Sequence, residues 1–217
     1  DNKIKFKCSC GFSEYRPGSA ASRSINPHVS KDSLIPIKFD VTGEFYIGGE
    51  KAERERREII TLDEISMLAS SDYDLESVLK GVAEKTAKRL GVDVCSIYVW
   101  DGDKLVLRGT FGLSQAAVGR ASISIGEGVT GSAVEAKSPQ LVPDISVDER
   151  YKFFSETKEE QYKIKTMYSY PLMNGDDPVG VLNAQTVVVR EFTEDELYFI
   201  SVIANIVLGA VKMRKKR

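Results

Sequence analysis

Apolar residues in the stretch KAERERREIITLDEISMLAS (51–70) return at three-residue steps: Ile59, Leu62, Ile65 and Leu68 with Ala69. That spacing keeps them on one side of a 3.6-residue turn and predicts an amphipathic helix whose charged N-terminal half is solvated. Ser71-Asp72 interrupts it. Leu75, Val78, Leu79, Val82, Ala83 and Thr86 then form a second stripe, over Leu75 to Leu90, with Gly91 placed to end the helix as a C-cap. From residue 94 the period changes to two. VCSIYVW (94–100) and KLVLRGTFG (104–112) flank Asp101-Gly102-Asp103, the pattern of a β-hairpin. Within the first strand Cys95, Ile97 and Val99 share one face, and Ser96 and Tyr98 share the other.

The segment ASISIGEGVTGSAVEAK (121–137) predicts a short strand, a glycine-rich turn and a short helix. PQLVPDI (139–145) predicts a strand, and 147–164 a long polar loop or short helix carrying aromatics. TMYSYPLM and VGVLNAQTV form a second hairpin about Asn174-Gly175-Asp176-Asp177. The last helix opens at Thr193, with Glu196 at capping-box spacing and Leu197, Ile200, Ala204, Val207 and Val211 behind it. Hairpins bracketed by helices predict an α+β fold. Its sheet is antiparallel, with about six strands, helices packed on one face and ligand-pocket loops on the other.

Residues 1–48 do not share this regularity. Turn-formers crowd them (Cys10-Gly11, Pro17-Gly18, Asn26-Pro27, Pro36), with short apolar stretches at Leu34-Ile35 and Phe45-Tyr46-Ile47. They read as a small N-terminal module or extension of unknown type, followed by a main domain over 49–217. A length of 217 residues suits that division.

Composition removes several function classes. Lys+Arg 30 against Asp+Glu 32 leaves a net charge of −2, with no chain-wide footprint for nucleic acid or anionic membrane. No apolar run approaches the ~20 residues of a membrane span. No signal-peptide stretch follows Asp1, and the lack of an initial Met leaves an upstream segment open. Three cysteines, Cys8, Cys10 and Cys95, do not suggest a disulfide framework and point to a reducing cytoplasm. The single histidine, His28, excludes a two-histidine zinc site and any histidine-based triad or haem in the main domain.

The remaining chemistry is sparse. Gly126 to Gly131 spells GxGxxG, but the strand before it is short and half polar and antiparallel hairpins follow, unlike a dinucleotide fold. The glycines are better suited to a tight strand-to-helix turn whose N–H groups, near Gly128, face an anionic ligand group. Cys8 and Cys10 with His28 are the weak candidates for a metal, short of the four ligands zinc needs; no metal is expected. Cys95 reads as a buried structural thiol. Polar residues of matching parity, Ser96 and Tyr98, Met167 and Ser169, Asn183 and Gln185, are placed to line a pocket under the 112–120 and 147–164 segments. Val129, Val142 and Asp144 complete that candidate set. Arg150, Tyr151, Phe153 and Phe154 are candidate lid residues, with Arg150 and Lys152 as partners for an anion.

The ordered set of the helix pair, CSIYVWD, IGEGVTGSAVEAKSPQLVPDI, YSYPL, VGVLNAQT and FTEDEL resembles the GAF domain across roughly residues 58–213. LVLRGTFGLSQAAVGRASISIGEGVTGSAVE, followed by RYKFFSETKEEQY, is most similar to the N-terminal GAF domain of the nitrogen-related phosphoenolpyruvate-protein phosphotransferases. The resemblance implies a regulatory signal-transduction domain, cytoplasmic and without a cofactor, that senses a small metabolite of nitrogen status such as glutamine or 2-oxoglutarate. It implies a homodimer paired through helices 51–70 and 193–213, and an effector domain beyond this chain. No nucleic acid or membrane partner is expected. No catalysis is expected either, because the phosphohistidine and phosphoenolpyruvate-binding parts have no counterpart here. Departures narrow it further. Asn183-Ala184 lacks the lysine of cyclic-nucleotide GAF domains, and one in-domain cysteine is fewer than methionine-sulfoxide-reducing GAF proteins use. Two other readings stay open: a ligand-free dimerisation module, and a redox enzyme using Cys95 or the N-terminal pair.

Overall fold

The computed structural model describes the backbone of residues 4–8, 11–15, 37–39 and 45–47, together with residues 50–150 and 164–215, their side chains from residue 56 onward. The chain divides into two compact units, Asp1–Glu53 and Arg54–Arg217. In the first, β1 (Ile4–Cys8) pairs antiparallel with β2 (Gly11–Tyr15), and β3 (Ile37–Phe39) with β4 (Phe45–Ile47). Cys8 ends β1, while Cys10 and His28 lie outside the described residues.

The long helix α1 (Glu50–Ser70) runs into the second unit and is followed by α2 (Leu75–Leu90). Asp74 caps α2 by accepting from Ser77 N at 2.9 Å, and Gly91 ends it at φ 62°. The first hairpin joins β5 (Val94–Trp100) to β6 (Leu105–Phe111). Its turn is held by Asp101 Oδ1, which accepts from Asp103 N at 3.0 Å and Lys104 N at 2.8 Å. Next come β7 (Ser122–Ile123), α3 (Gly128–Glu135) and β8 (Gln140–Val142). The expected strand over 139–145 stops at Val142, since Pro143 has no N–H and Asp144 turns the chain by accepting from Ser146 N at 2.9 Å. The second hairpin is β9 (Thr166–Asn174) with β10 (Asp177–Thr186), and α4 (Glu194–Lys215) closes the chain. Its capping box forms as the spacing predicts: Thr193 N donates to Glu196 Oε2 at 2.9 Å and Glu196 N to Thr193 Oγ1 at 3.3 Å.

The sheet order is β7-β6-β5-β10-β9-β8, antiparallel throughout. This is the α+β architecture that the alternating pattern predicts. Cys95, Ile97, Val99, Leu182 and Ala184 join α1, α2 and α4 in one core cluster, so those helices cover one face. Gly109 is what lets α2 settle there: a Cβ at that position would lie 2.5 Å from the Leu79 carbonyl carbon. The other face is more than loops. It carries α3, and its cluster gathers Val94, Tyr98, Leu105, Leu107, Val129, Val134, Met167 and Val181.

Helix α4 is long and apolar enough by length and composition to cross a membrane. Its Phe199, Ile200, Ile203, Ala204, Val207, Ala210 and Val211 are nevertheless buried against the sheet and the other helices. Its last turn is tied down at three places. Arg214 donates to three carbonyls at the end of α1 and beyond: Ala69 (2.9 Å), Ser71 (2.6 Å) and Tyr73 (3.2 Å). Lys212 Nζ reaches Asn174 Oδ1 at 2.6 Å, and Lys215 Nζ reaches the Trp100 carbonyl. The basic run thus grips both hairpins and the α1–α2 link, beyond favouring the negative end of its own helix.

Candidate functional site

Register turns scattered polar residues into one line. Thr110 lies opposite Ser96, Ser96 opposite Asn183, Asn183 opposite Ser169, and Ser169 opposite Gln140. Directly paired residues point to the same side, so this row crosses five strands on the face that carries α3. The row beside it runs Val94, Gln185, Met167, Val142. The parity of Ser96, Ser169, Asn183 and Gln185 therefore places all four together, and Met167 and Val142 with them. Thr110, Thr130 and Gln140 are additions. A register shift between Ile97 and Tyr98 hides Thr110 from simple alternation, and only the approach of α3 brings in Thr130.

Asn183 is the hub. Its Nδ2 donates to Ser96 Oγ at 3.3 Å and to Thr130 Oγ1 of α3 at 3.2 Å. Gln185 Nε2 points at Met167 Sδ, 3.6 Å away. Ser169, Asn183 and Gln185 are only 0%, 2% and 3% exposed, yet Ser169 Oγ, Asn183 Oδ1 and Gln185 Oε1 have no hydrogen-bond partner. Leaving a buried polar group unpaired costs about 1–3 kcal/mol. Of the six such atoms among the described residues, the others being Thr86 Oγ1, Arg89 Nε and Arg190 Nε, these three share one face of one sheet. Tyr98 and Val129 belong to the apolar wall around the row.

Other expected site residues fall elsewhere. Gly128 opens α3 at φ 63°, and Gly131 lets the turn close, since a Cβ there would lie 2.3 Å from the Ser124 carbonyl oxygen. This is the tight turn that the glycines predict. An anion at its N–H groups would meet negative charge, however: Glu127 is the N-cap residue, with Oε2 accepting from Ser124 N, and Glu135 packs against Gly126. Asp144 caps the turn at 145–147, and the Ser146 hydroxyl and N–H hold its carboxyl below the usual carboxylate range. Arg150 is exposed and already engaged, its Nη2 2.7 Å and Nε 3.0 Å from the Asp148 carboxylate and its Nη1 3.1 Å from Gln140 Oε1. That pairing lowers the Asp148 pKa and raises that of Arg150. An anionic ligand would have to compete with Asp148 for it. Phe153, with Tyr151, Lys152 and Phe154, lies outside the described residues.

Cys95 is buried on the opposite, helix-covered face, where burial pushes its thiol up to about 12. It is held as a neutral thiol, the unreactive form. Among the described residues no group of His, Cys, Asp and Glu is arranged to hold a metal. A cleft of about 340 Å³ lies between Leu75, Val99, Trp100, Arg108 and Lys215. Its charges are spent internally, with Arg108 on Glu76 at 3.0 Å and Lys215 on the Trp100 carbonyl.

The GAF domain family model matches residues 74–211. The Nif-specific regulatory protein of Azospirillum brasilense is 22% identical over 174 residues, covering 77% of this chain and 28% of that protein. The chain thus spans little more than a quarter of the length of that relative. The GAF domain from a phosphoenolpyruvate-protein phosphotransferase of Coxiella burnetii superposes with a TM-score of 0.67 at 24% identity, covering 74% of this chain and 96% of that one. Free methionine-R-sulfoxide reductase from Neisseria meningitidis, solved with its substrate, superposes with a TM-score of 0.63 at 18% identity, covering 84% of this chain and 99% of that one.

Proposed function

The chain belongs to the GAF domain family, a family of regulatory sensor domains, and from that premise we propose that it binds a small metabolite on the α3-covered face of its sheet and passes the change to an effector through its terminal helices. The observation that carries this reading is the set of unpaired buried atoms of Ser169, Asn183 and Gln185. A bound molecule would complete their hydrogen bonds. Asn183 also supplies the lever, because the same amide ties α3 to the sheet through Thr130. A ligand that engages Asn183 more strongly in one position of α3 than in another shifts the balance between the two. Catalysis is not part of the proposal: the in-domain thiol is neutral, buried and on the wrong face. A cytoplasmic location agrees with that free thiol.

Homodimerisation through α1 and α4 is part of the proposal. Ile59 and Met67 on α1 and Tyr198 on α4 are 67%, 68% and 70% exposed, which is costly for isolated helices and supports a partner helix. Size measurement by light scattering tests it: the parent chain runs as a dimer, and Ile59→Glu with Met67→Glu as a monomer.

The sensor reading is tested by a thermal-shift screen of the purified chain against amino acids, 2-oxo acids, nucleotides and cyclic nucleotides. A ligand at 100 times its dissociation constant adds about 2.7 kcal/mol, a rise of roughly 5–10 °C for a domain of this size. The rise is expected to vanish in Asn183→Ala. A second reading, a ligand-free dimerisation module, is favoured by the internal hydrogen bonds that already occupy the Asn183 Nδ2. A silent screen with a stable dimer would select it.

A further inference from the structure

The atoms left unpaired on this face have a chemical signature, and from it we infer that the buried part of the ligand is an uncharged amide. By that we mean a primary carboxamide, lactam or ureide, which presents an N–H donor beside a carbonyl acceptor. The inference rests on the sensor reading above and narrows it.

Charge comes first. Among the described residues the buried polar side chains are all uncharged: Thr86, Ser96, Thr110, Thr130, Thr166, Ser169, Asn183, Gln185 and Thr186, with the phenols of Tyr98 and Tyr168. No Lys, Arg, Asp or Glu stands in that list to neutralise a carboxylate or an ammonium. Burying an unpaired ion is far more costly than burying a neutral polar group. Among the described residues, Arg150 and Lys165 do not serve either, since Arg150 is exposed and bound to Asp148, and Lys165 is turned to Ser146 Oγ at 3.3 Å. A charged portion of a ligand belongs at that rim, outside the row.

Hydrogen-bond polarity comes second. A thioether sulfur has no proton to give, so Gln185 must turn its Nε2 toward Met167 Sδ, and its Oε1 is left as an obligate acceptor. The ligand therefore brings an N–H or O–H to that point. Asn183 is different. Its neighbours Ser96 and Thr130 are hydroxyls, which donate or accept equally well, so its amide can offer either end. Ser169 Oγ, directly across from Asn183, is equally adaptable. One fixed acceptor and two adaptable groups lie on adjacent positions of one face, about 7 Å apart along the strand. They match a group that donates on one side and accepts on the other. A carboxylate, which only accepts, leaves Gln185 Oε1 opposed to a second acceptor.

The experiment uses the full chain and three pairs of near-isosteric probes at neutral pH: benzamide with benzoate, nicotinamide with nicotinate, and asparagine with aspartate. Affinity is read by calorimetry and by thermal shift. In at least one pair the amide is expected to bind at least tenfold more tightly than its carboxylate twin. Gln185→Met keeps the side-chain length, removes the acceptor and is expected to weaken that amide about tenfold. The same substitution is expected to raise the ligand-free Tm by about 2–6 °C, because it takes away a buried unpaired carbonyl. Ser169→Ala, a milder change, is expected to weaken the amide as well. A carboxylate that binds its Asn183-dependent site as tightly as the amide overturns the amide class while the sensor reading stands. Failure of all three amides also overturns the class, and the metabolite screen decides whether the sensor reading falls with it.

Discussion

Replacing Arg214 with alanine tests whether the last turn of α4 is fastened or merely adjacent. The guanidinium donates to the Ala69, Ser71 and Tyr73 carbonyls at 2.9, 2.6 and 3.2 Å. The Ala69 carbonyl belongs to the last turn of α1, where a helix has no intrahelical donors left to offer. Hydrogen bonds from a charged donor are each worth about 1.5–3 kcal/mol net when well buried. The Tyr73 contact is exposed and the other two part-buried, so a total of about 2–3 kcal/mol is a fair reckoning. At roughly 2–4 °C per kcal/mol for a domain of this size, Tm should fall by about 5–10 °C. Arg214→Lys keeps a charge near the negative end of α1 but cannot span three carbonyls, and should recover about a third of the loss. Lys212→Ala, which removes one exposed contact to Asn174, should cost no more than about 0.5 kcal/mol. Hydrogen exchange adds a local readout: amides between residues 69 and 75 should lose protection in Arg214→Ala. A Tm within about 1 °C of the parent, or equal losses for Arg214→Ala and Lys212→Ala, would refute the reasoning.

Three further outcomes follow from other contacts. Gly109→Ala should cost about 3 kcal/mol by chemical denaturation, the upper end of the usual overpacking range, since the new methyl meets the Leu79 backbone and not a side chain that can swing away. Asp74, Asp101, Asp144 and Asp148 are all held below the usual carboxylate range by hydrogen bonds from Ser77, Lys104, Ser146 and Arg150. A depressed folded pKa adds stability above the unfolded value near 4 that is lost as pH falls through the folded one, so Tm should be level above about pH 5 and decline below pH 4; a Tm rising on acidification would contradict this. Cys95 carries the opposite sign: its folded pKa is raised to about 12, so stability should fall as pH climbs above about 9, and less so in Cys95→Val. Its thiol should resist iodoacetamide in the native chain and react on unfolding.

The order of the main-domain elements was legible because each boundary carries its own chemistry. Gly91, the Asp101-Gly102 turn and the Thr193–Glu196 pair all act where their spacing predicts. Face assignment was legible too, since alternation alone separates Ser96 from Cys95. What alternation cannot supply is register. The Thr110–Ser96–Asn183–Ser169–Gln140 line depends on which residue sits opposite which, and shifts at Ile97/Tyr98 and Pro178/Gly180 decide that. The reach of Arg214 across 141 to 145 positions of sequence has no local trace either. Arg150 shows what residue type alone leaves out. A cation near a polar loop invites an anionic ligand, but Asp148, two residues away, already answers it.

The bare contact of Gly109 with Leu79 has a mechanical consequence. Beside the side-chain packing of Val78, Leu79 and Val82, α2 meets the sheet backbone itself at Gly109, a contact that no rotamer change can relax, so at that point it behaves as part of the sheet's frame. Helices α1 and α4 rest on ordinary side-chain packing and on grips such as Arg214, which can be released and remade. Under the proposed sensor role, α2 would be the fixed element and α1 and α4 the two able to shift against it.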